Sequence, residues 1–279
     1  MLYKKFGRDG PDVSEVGMGT YYDAGWIAAA RMGWLRGRQQ KIKAIKAGLD
    51  GGINLIDTAE IYGSEPLVAE AIAGYDRRKI FLATKVWSNH LHRGPLIRSL
   101  NRSLERLKTD YVDLYQVHFP NRRVSISETM GAMEELVDQG KVRFIGVSNF
   151  SLERIIEAKN ALKKHGLAAV QLSYSLANRD IEKDIIPYCE KEGIMLLAYY
   201  PLAHGRLASA RGDVQELARK YGKTMVQMAL NWLISKPNVL PIPRASTEEH
   251  VTENLGASGW SMSDDDRASL EAAFKSEVG

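Results

Sequence analysis

Short apolar runs alternate along this chain with stretches whose apolar residues recur every three or four positions. The runs are INLI (53–56), IFLAT (80–84), VDLYQV (112–117), RFIGV (143–147), AAVQL (168–172), IMLLAY (194–199) and VLPI (239–242), with a weaker one, EVGMGT, at 15–20. They lack the in-out alternation of half-solvated strands and read as strands covered on both faces. Between them, LIRSLNRSLERL (96–107) sets Ile97, Leu100, Leu104 and Leu107 on one helical face. SLERIIEAKNALKKHG (151–166) predicts a helix capped by Ser151 and closed by Gly166. Further helices are expected over Asn178–Glu192 and Lys223–Ser235, and a last one over Ser263–Lys275, opening with Ser263 and an acidic first turn. The Met-rich TMGAMEEL (129–136) reads as a core-facing surface. The opening LYKKFGRDGPDVSEVG predicts a hairpin around Asp9-Gly10.

Eight strand-helix units in about 250 residues point to a (β/α)8 TIM barrel of the α/β class, preceded by the β-hairpin and followed by an additional C-terminal helix. An open doubly wound sheet is the alternative, but no G-x-G-x-x-G follows a strand. Without a Pro/Gly/Ser-rich linker, residues 1–279 are expected to form a single domain. Residues 22–37 exceed an ordinary βα loop, and their Trp and Met content suggests packing, as a flap near a pocket mouth or a contact between subunits.

Bulk properties narrow the field. No run of about 18 apolar residues is present, so no membrane helix is expected. The first ten residues lack the apolar core of a signal peptide, and Cys189 is the only cysteine. Together these suggest a reducing cytoplasm. The net charge of +4 suits an anionic small ligand and includes no Lys/Arg block of the kind that binds nucleic acid. His90 and His92 have an H-x-H spacing, but no Cys or carboxylate lies beside them in sequence, so no metal is expected.

Chemistry in such barrels sits at the carboxyl ends of the strands. Read there, the chain offers Thr20, Asp57, Lys85, His118, Ser148, Asn149, Gln171, Tyr199 and Arg244. One polar strand end means nothing, since each alone could cap a turn or reach solvent. A ring of them around one cavity is a site. Asp57 and Lys85 end consecutive strands and should form an ion pair, because a buried charge needs a partner. With Tyr62 in reach, the lysine would lower the phenol's pKa and the histidine would share a substrate carbonyl oxygen with its hydroxyl. That is a general acid for carbonyl reduction, with the hydride coming from a nicotinamide cofactor.

NLIDTAEIYGSE (54–65), LATKVW (82–87), YVDLYQVHFP (111–120), RFIGVSNF (143–150) and AAVQLSYS (168–175) follow one another as the signatures of a known family do. AYYPLAHGRL (198–207) and PIPRASTEEHVTENLGA (241–257) complete the series. The whole chain resembles the aldo-keto reductases. The resemblance implies a catalytic tetrad of Asp57, Tyr62, Lys85 and His118, with Tyr62 as acid/base, and no metal. It implies that Ser148, Asn149 and Gln171 hold the nicotinamide carboxamide, that Tyr199 stacks on its ring, and that Leu202 lies along the pyrophosphate. Gly19 and Thr20 join the cofactor set, and Arg244, Ser246, His250, Glu253 and Asn254 would bind the adenosine half. Tyr21, Tyr22, Trp87 and Phe119 are candidate walls for a small-molecule carbonyl substrate. NADPH is the favoured cofactor, through Arg244, with NADH as the alternative and the preference narrowed by His250 standing where much of the family has a basic residue. The sequence leaves the oligomeric state open. The ending at Gly279 and the short stretch from Tyr199 to Asp213 suggest an open pocket with only a partial belt over the cofactor. Two other readings are a Schiff-base lyase using Lys85, which a paired Asp57 opposes, and a slow cofactor sensor on the same fold.

Overall fold

Eight strands run parallel and pair strictly in chain order: β3 (Met18–Gly19), β4 (Leu55–Asp57), β5 (Phe81–Val86), β6 (Val112–Val117), β7 (Val142–Ser148), β8 (Leu167–Ser173), β9 (Met195–Tyr199) and β10 (Val239–Pro241). The first and last ends of this sheet meet. The Gly17 and Gly19 N–H groups donate to the Pro241 and Pro243 carbonyls at 2.9 and 3.0 Å, and Gly19 bridges Arg244 in parallel. This computed structural model describes residues 1–203 and 213–275. The expectation of a shortened belt after Tyr199 falls largely outside them.

Helices cover the outside: α1 (Ala24–Arg31), α2 (Arg38–Asp50), α3 (Glu65–Ile72), α4 (Arg93–Leu107), α5 (Ile126–Asp138), α6 (Leu152–Ala161), α7 (Ile185–Glu192), α8 (Asp213–Tyr221), α9 (Met225–Ile234), α10 (Glu248–Leu255) and α11 (Asp264–Lys275). No helix among the described residues is long and apolar enough to cross a membrane. Strands covered on both faces need two cores. One lies between strands and helices; it includes the predicted face of α4 (Leu100, Leu104, Leu107) and Met130 and Met133 of α5. The other fills the barrel with Leu55, Phe81, Ala83, Leu114, Ala169, Leu197 and Leu240. The predicted hairpin, β1 (Tyr3–Lys5) with β2 (Asp12–Ser14), plugs the amino-terminal end of the barrel by inserting Phe6 and Val13 into that inner core.

The two-residue repeat of a strand then places the site. Two positions beyond the inward Leu55, Ala83, Leu114, Ala169 and Leu197 come Asp57, Lys85, Gln116, Gln171 and Tyr199, one layer nearer the carboxyl end. Gly146 makes room in that layer, since a Cβ there would lie 2.9 Å from Cγ of Gln116 and 3.1 Å from the Ala169 carbonyl oxygen.

Three expectations change. Helix α6 ends at Ala161 rather than at Gly166, because Oε1 of Glu134 on the neighbouring α5 accepts hydrogen bonds from the N–H groups of Lys163, Lys164 and His165 at 2.8, 2.6 and 3.0 Å and so holds them out of the helix. The span 178–192 breaks into a 3-10 turn (Asp180–Glu182) and α7, whose first N–H is taken by the Asp184 side chain. Segment 22–37 holds α1. Its Trp26 is buried, while Met32 and Trp34 are 64% and 63% exposed.

Candidate active site

The carboxyl ends of the strands open into a cavity of about 870 Å³, within the ordinary range of ligand pockets. Every residue expected at the site lines it except Lys85, Thr20 and Ser246. Lys85 lies wholly buried behind the wall, donating from Nζ to Oδ2 of Asp57 at 2.6 Å and to the Thr58 carbonyl at 2.8 Å. A carboxylate and a carbonyl oxygen are what a desolvated ammonium requires. Thr20 turns away too. Its hydroxyl meets the Asp57 carbonyl and Ser64, which ties the first strand to the loop after β4.

The other carboxylate oxygen, Oδ1 of Asp57, accepts from Nε2 of Gln171 at 2.9 Å and of Gln116 at 3.3 Å. Gln116 was absent from the sequence-based site. Its signal was its position two residues before His118 on the same strand face. Tyr200, a further lining residue not anticipated, has its ring 5.0 Å from Tyr199 and 6.3 Å from Tyr21.

Above Lys85, the Tyr62 hydroxyl and Nε2 of His118 are 3.2 Å apart. The ammonium lies 5.0 Å from the centre of the Tyr62 ring. The sequence suggested that this cation would lower the tyrosine's pKa. The structure reverses the direction, because burial and then the negative charge of Asp57 push Tyr62 well above an ordinary phenol. It is therefore protonated and able to donate. Burial and the charge of Lys85 push His118 down to about 3, so its imidazole is neutral. Burial also lowers Lys85, against the pull of Asp57. Trp87 and Phe119 pack on the histidine, one edge-on at 5.3 Å and one stacked at 5.1 Å.

Asn149, at φ +61°, presents its side chain across the floor. It donates to the His118 carbonyl at 2.9 Å and accepts from the Tyr199 hydroxyl at 2.7 Å. With Gln171 and Ser148 it forms an amide-rich rim suited to a carboxamide. At the far end, Arg244 donates to the Tyr22 carbonyl, and α10 begins nearby, capped by Thr247. An exposed guanidinium beside a helix start is a site for phosphate. Cavity volume, amide rim and arginine together fit a nicotinamide dinucleotide. His90 and His92 bond separate carboxylates, Glu60 and Glu128, and the described residues hold no cluster of metal-binding groups.

The model of the aldo/keto reductase family matches residues 25–275. The chain belongs to that family. Among curated relatives of this aldo/keto reductase, Methylglyoxal reductase YeaE of Escherichia coli is 36% identical over 95% of this chain and 92% of its own length. Aldo-keto reductase YhdN of Bacillus subtilis is 31% identical over 100% and 95%. The solved thermostable aldo-keto reductase Tm1743, in complex with the inhibitor epalrestat, shares 36% identity and superposes with a TM-score of 0.87, covering 98% of this chain and 100% of that one. A Klebsiella pneumoniae aldo/keto reductase in complex with NADP and acetate shares 35% identity, with a TM-score of 0.85 over 98% and 96%. These barrels have the architecture described above.

Proposed function

We propose that this chain is an NADPH-dependent reductase of small aldehydes and ketones, acting reversibly as an alcohol dehydrogenase. The observation that carries this reading is the 3.2 Å pair of Tyr62 and His118 above a buried Lys85–Asp57 ion pair. When bound, the nicotinamide supplies the hydride. Tyr62 and His118 receive the carbonyl oxygen, which takes the place of their mutual contact. Two N–H or O–H donors aimed at one oxygen stabilise the charge that grows there. Tyr62 then gives up its proton, and the buried ammonium 5.0 Å from its ring stabilises the phenolate left behind. Asp57 keeps that ammonium in place, while Gln116 and Gln171 hold Asp57. Asn149, Ser148 and Gln171 orient the carboxamide, and Arg244 meets the 2′-phosphate. Tyr21, Trp87 and Phe119 exclude water from the reacting face. The methylglyoxal reductase activity named for YeaE supports a small dicarbonyl or aldehyde as substrate.

Lys85 does not line the cavity, so the Schiff-base reading loses its support. We also infer one catalytic domain and, from the lone buried Cys189, a cytoplasmic setting.

The test is a titration of the purified protein with NADPH and with NADH, followed by addition of methylglyoxal or a nitrobenzaldehyde. Binding followed by loss of the reduced-nicotinamide absorbance is expected. Binding without oxidation of the cofactor by any carbonyl would favour the sensor reading, and absence of binding by either cofactor would overturn the site.

A further inference from the structure

Tyr62 sits on the loop between β4 and α3, outside any strand or helix. Its N–H donates to the Ala59 carbonyl at 3.0 Å, but no ladder holds the peptide on its other side, so something else must fix the Tyr62 carbonyl. Helix α1, in the long segment before α2, supplies that contact. The buried indole of Trp26 donates from Nε1 to the Tyr62 carbonyl at 3.1 Å. The next residue, Gly63, takes φ +71° and passes so close to α1 that a Cβ there would lie 2.6 Å from Cβ of Ala30. Trp26 is itself clamped. Oδ1 of Asp23 accepts its backbone N–H at 2.6 Å, the Tyr22 ring meets it edge-on at 5.3 Å, and Nζ of Lys41 lies 4.7 Å over it. The Tyr22 carbonyl is the one that Arg244 holds.

Given Tyr62 as the proton donor, we propose that Trp26 is a positioning residue for the reaction: its indole N–H fixes the Tyr62 peptide, and with it the angle at which the phenol meets the carbonyl oxygen. A side chain on a loop follows its peptide plane, and a buried carbonyl with a rigid, clamped donor cannot rock. The packing of α1 on Gly63 removes the remaining freedom. Segment 22–31 is then part of the catalytic apparatus without touching substrate through Trp26.

The experiment is Trp26→Phe, which keeps an aromatic ring and removes only the N–H. It is measured for kcat and KM with methylglyoxal and for NADPH affinity by calorimetry, beside Tyr62→Phe and the double variant. A fall in kcat of about tenfold is expected, with KM and NADPH affinity within about twofold, because misaiming a reacting group costs rate rather than binding. In the Tyr62→Phe background the same change should cost nothing further. Unchanged kcat, a parallel loss of NADPH affinity, or a loss that persists without the phenol would each overturn the proposal. Wild-type turnover in Tyr62→Phe alone would instead remove the proton-donor reading beneath it. Should Trp26→Phe fail to fold, Ala30→Gly, which deletes the methyl packed on Gly63, must show the same split on a smaller scale.

Discussion

Each end of this barrel holds a buried carboxylate with a cation on it, and the two ends use them differently. At the amino-terminal end Asp113 accepts from Arg77 at 2.8 Å, from Arg143 at 2.6 Å and from the Leu82 N–H at 2.9 Å. Both cations are guanidiniums, which keep their charge at any working pH. The hairpin closes this end, with Phe6 packed on Phe81 at 4.4 Å. At the carboxyl end Asp57 holds a lysine, two glutamine amides complete its shell, and a tyrosine and a histidine with displaced pKa values stand between that shell and an open cavity. Permanent charge under a plug gives rigidity. Titratable groups under a cavity give a proton that can move.

Exchanging or removing these groups tests that contrast. The largest effect should come from Tyr62→Phe, with turnover falling about a thousandfold while NADPH affinity stays nearly intact, since one general acid contributes roughly 10²- to 10⁴-fold. Wild-type turnover would remove the working end from the comparison. At the closed end, Asp113→Asn should leave kcat unchanged and lower unfolding free energy by about 2 kcal/mol, because it replaces a buried anion that accepts from two partly exposed guanidiniums and one backbone N–H with a neutral amide. Urea denaturation read against turnover separates the two outcomes, and a loss of kcat in the folded variant would show that the ends are not independent.

His118 gives a pH signature. It titrates near 3 in the fold against 6.5 in a free histidine. Between those values the unfolded chain binds a proton that the native chain refuses. This contribution to stability is present above pH 6.5 and fades as pH falls toward 3. His118→Gln should therefore lose about 2 kcal/mol less stability than the parent between pH 7 and 4.5. Equal losses would mean that burial is not holding the imidazole neutral. The smallest effect expected is on cofactor choice. Arg244→Ala should weaken NADPH about tenfold and NADH little, since only the former carries a 2′-phosphate for the guanidinium. Equal weakening would move the phosphate contact elsewhere.

These contrasts were partly written in the sequence. Asp57, Lys85, His118 and Gln171 were legible because a buried strand must end somewhere, and a polar residue at each end of successive strands is hard to produce by accident. The apolar runs located the strands for the same reason. What escaped was non-local. Nothing in KKHG announces that Glu134 from another helix will hold three of its N–H groups. Thr20 stands at a strand end like the others, yet its hydroxyl is claimed by Ser64 and the Asp57 carbonyl. The direction of the Tyr62 shift was misread because the lysine is visible in sequence and the depth of burial is not. The role of α1 was hidden because Trp26 meets its partner 36 residues away.

The seam between β3 and β10 has a consequence for how the protein is made. Gly17 and Gly19 leave the ribosome before their partners, the carbonyls of Pro241 and Pro243, which come more than 220 residues later. Lys4 waits as long, for the carbonyls of Ile234, Lys236 and Val239 that surround its Nζ. At roughly 5–20 residues per second, the first strand spends at least about ten seconds with one edge bare. The barrel begins with the strand that is completed last, and its nascent chain carries an open β edge until β10 has followed it.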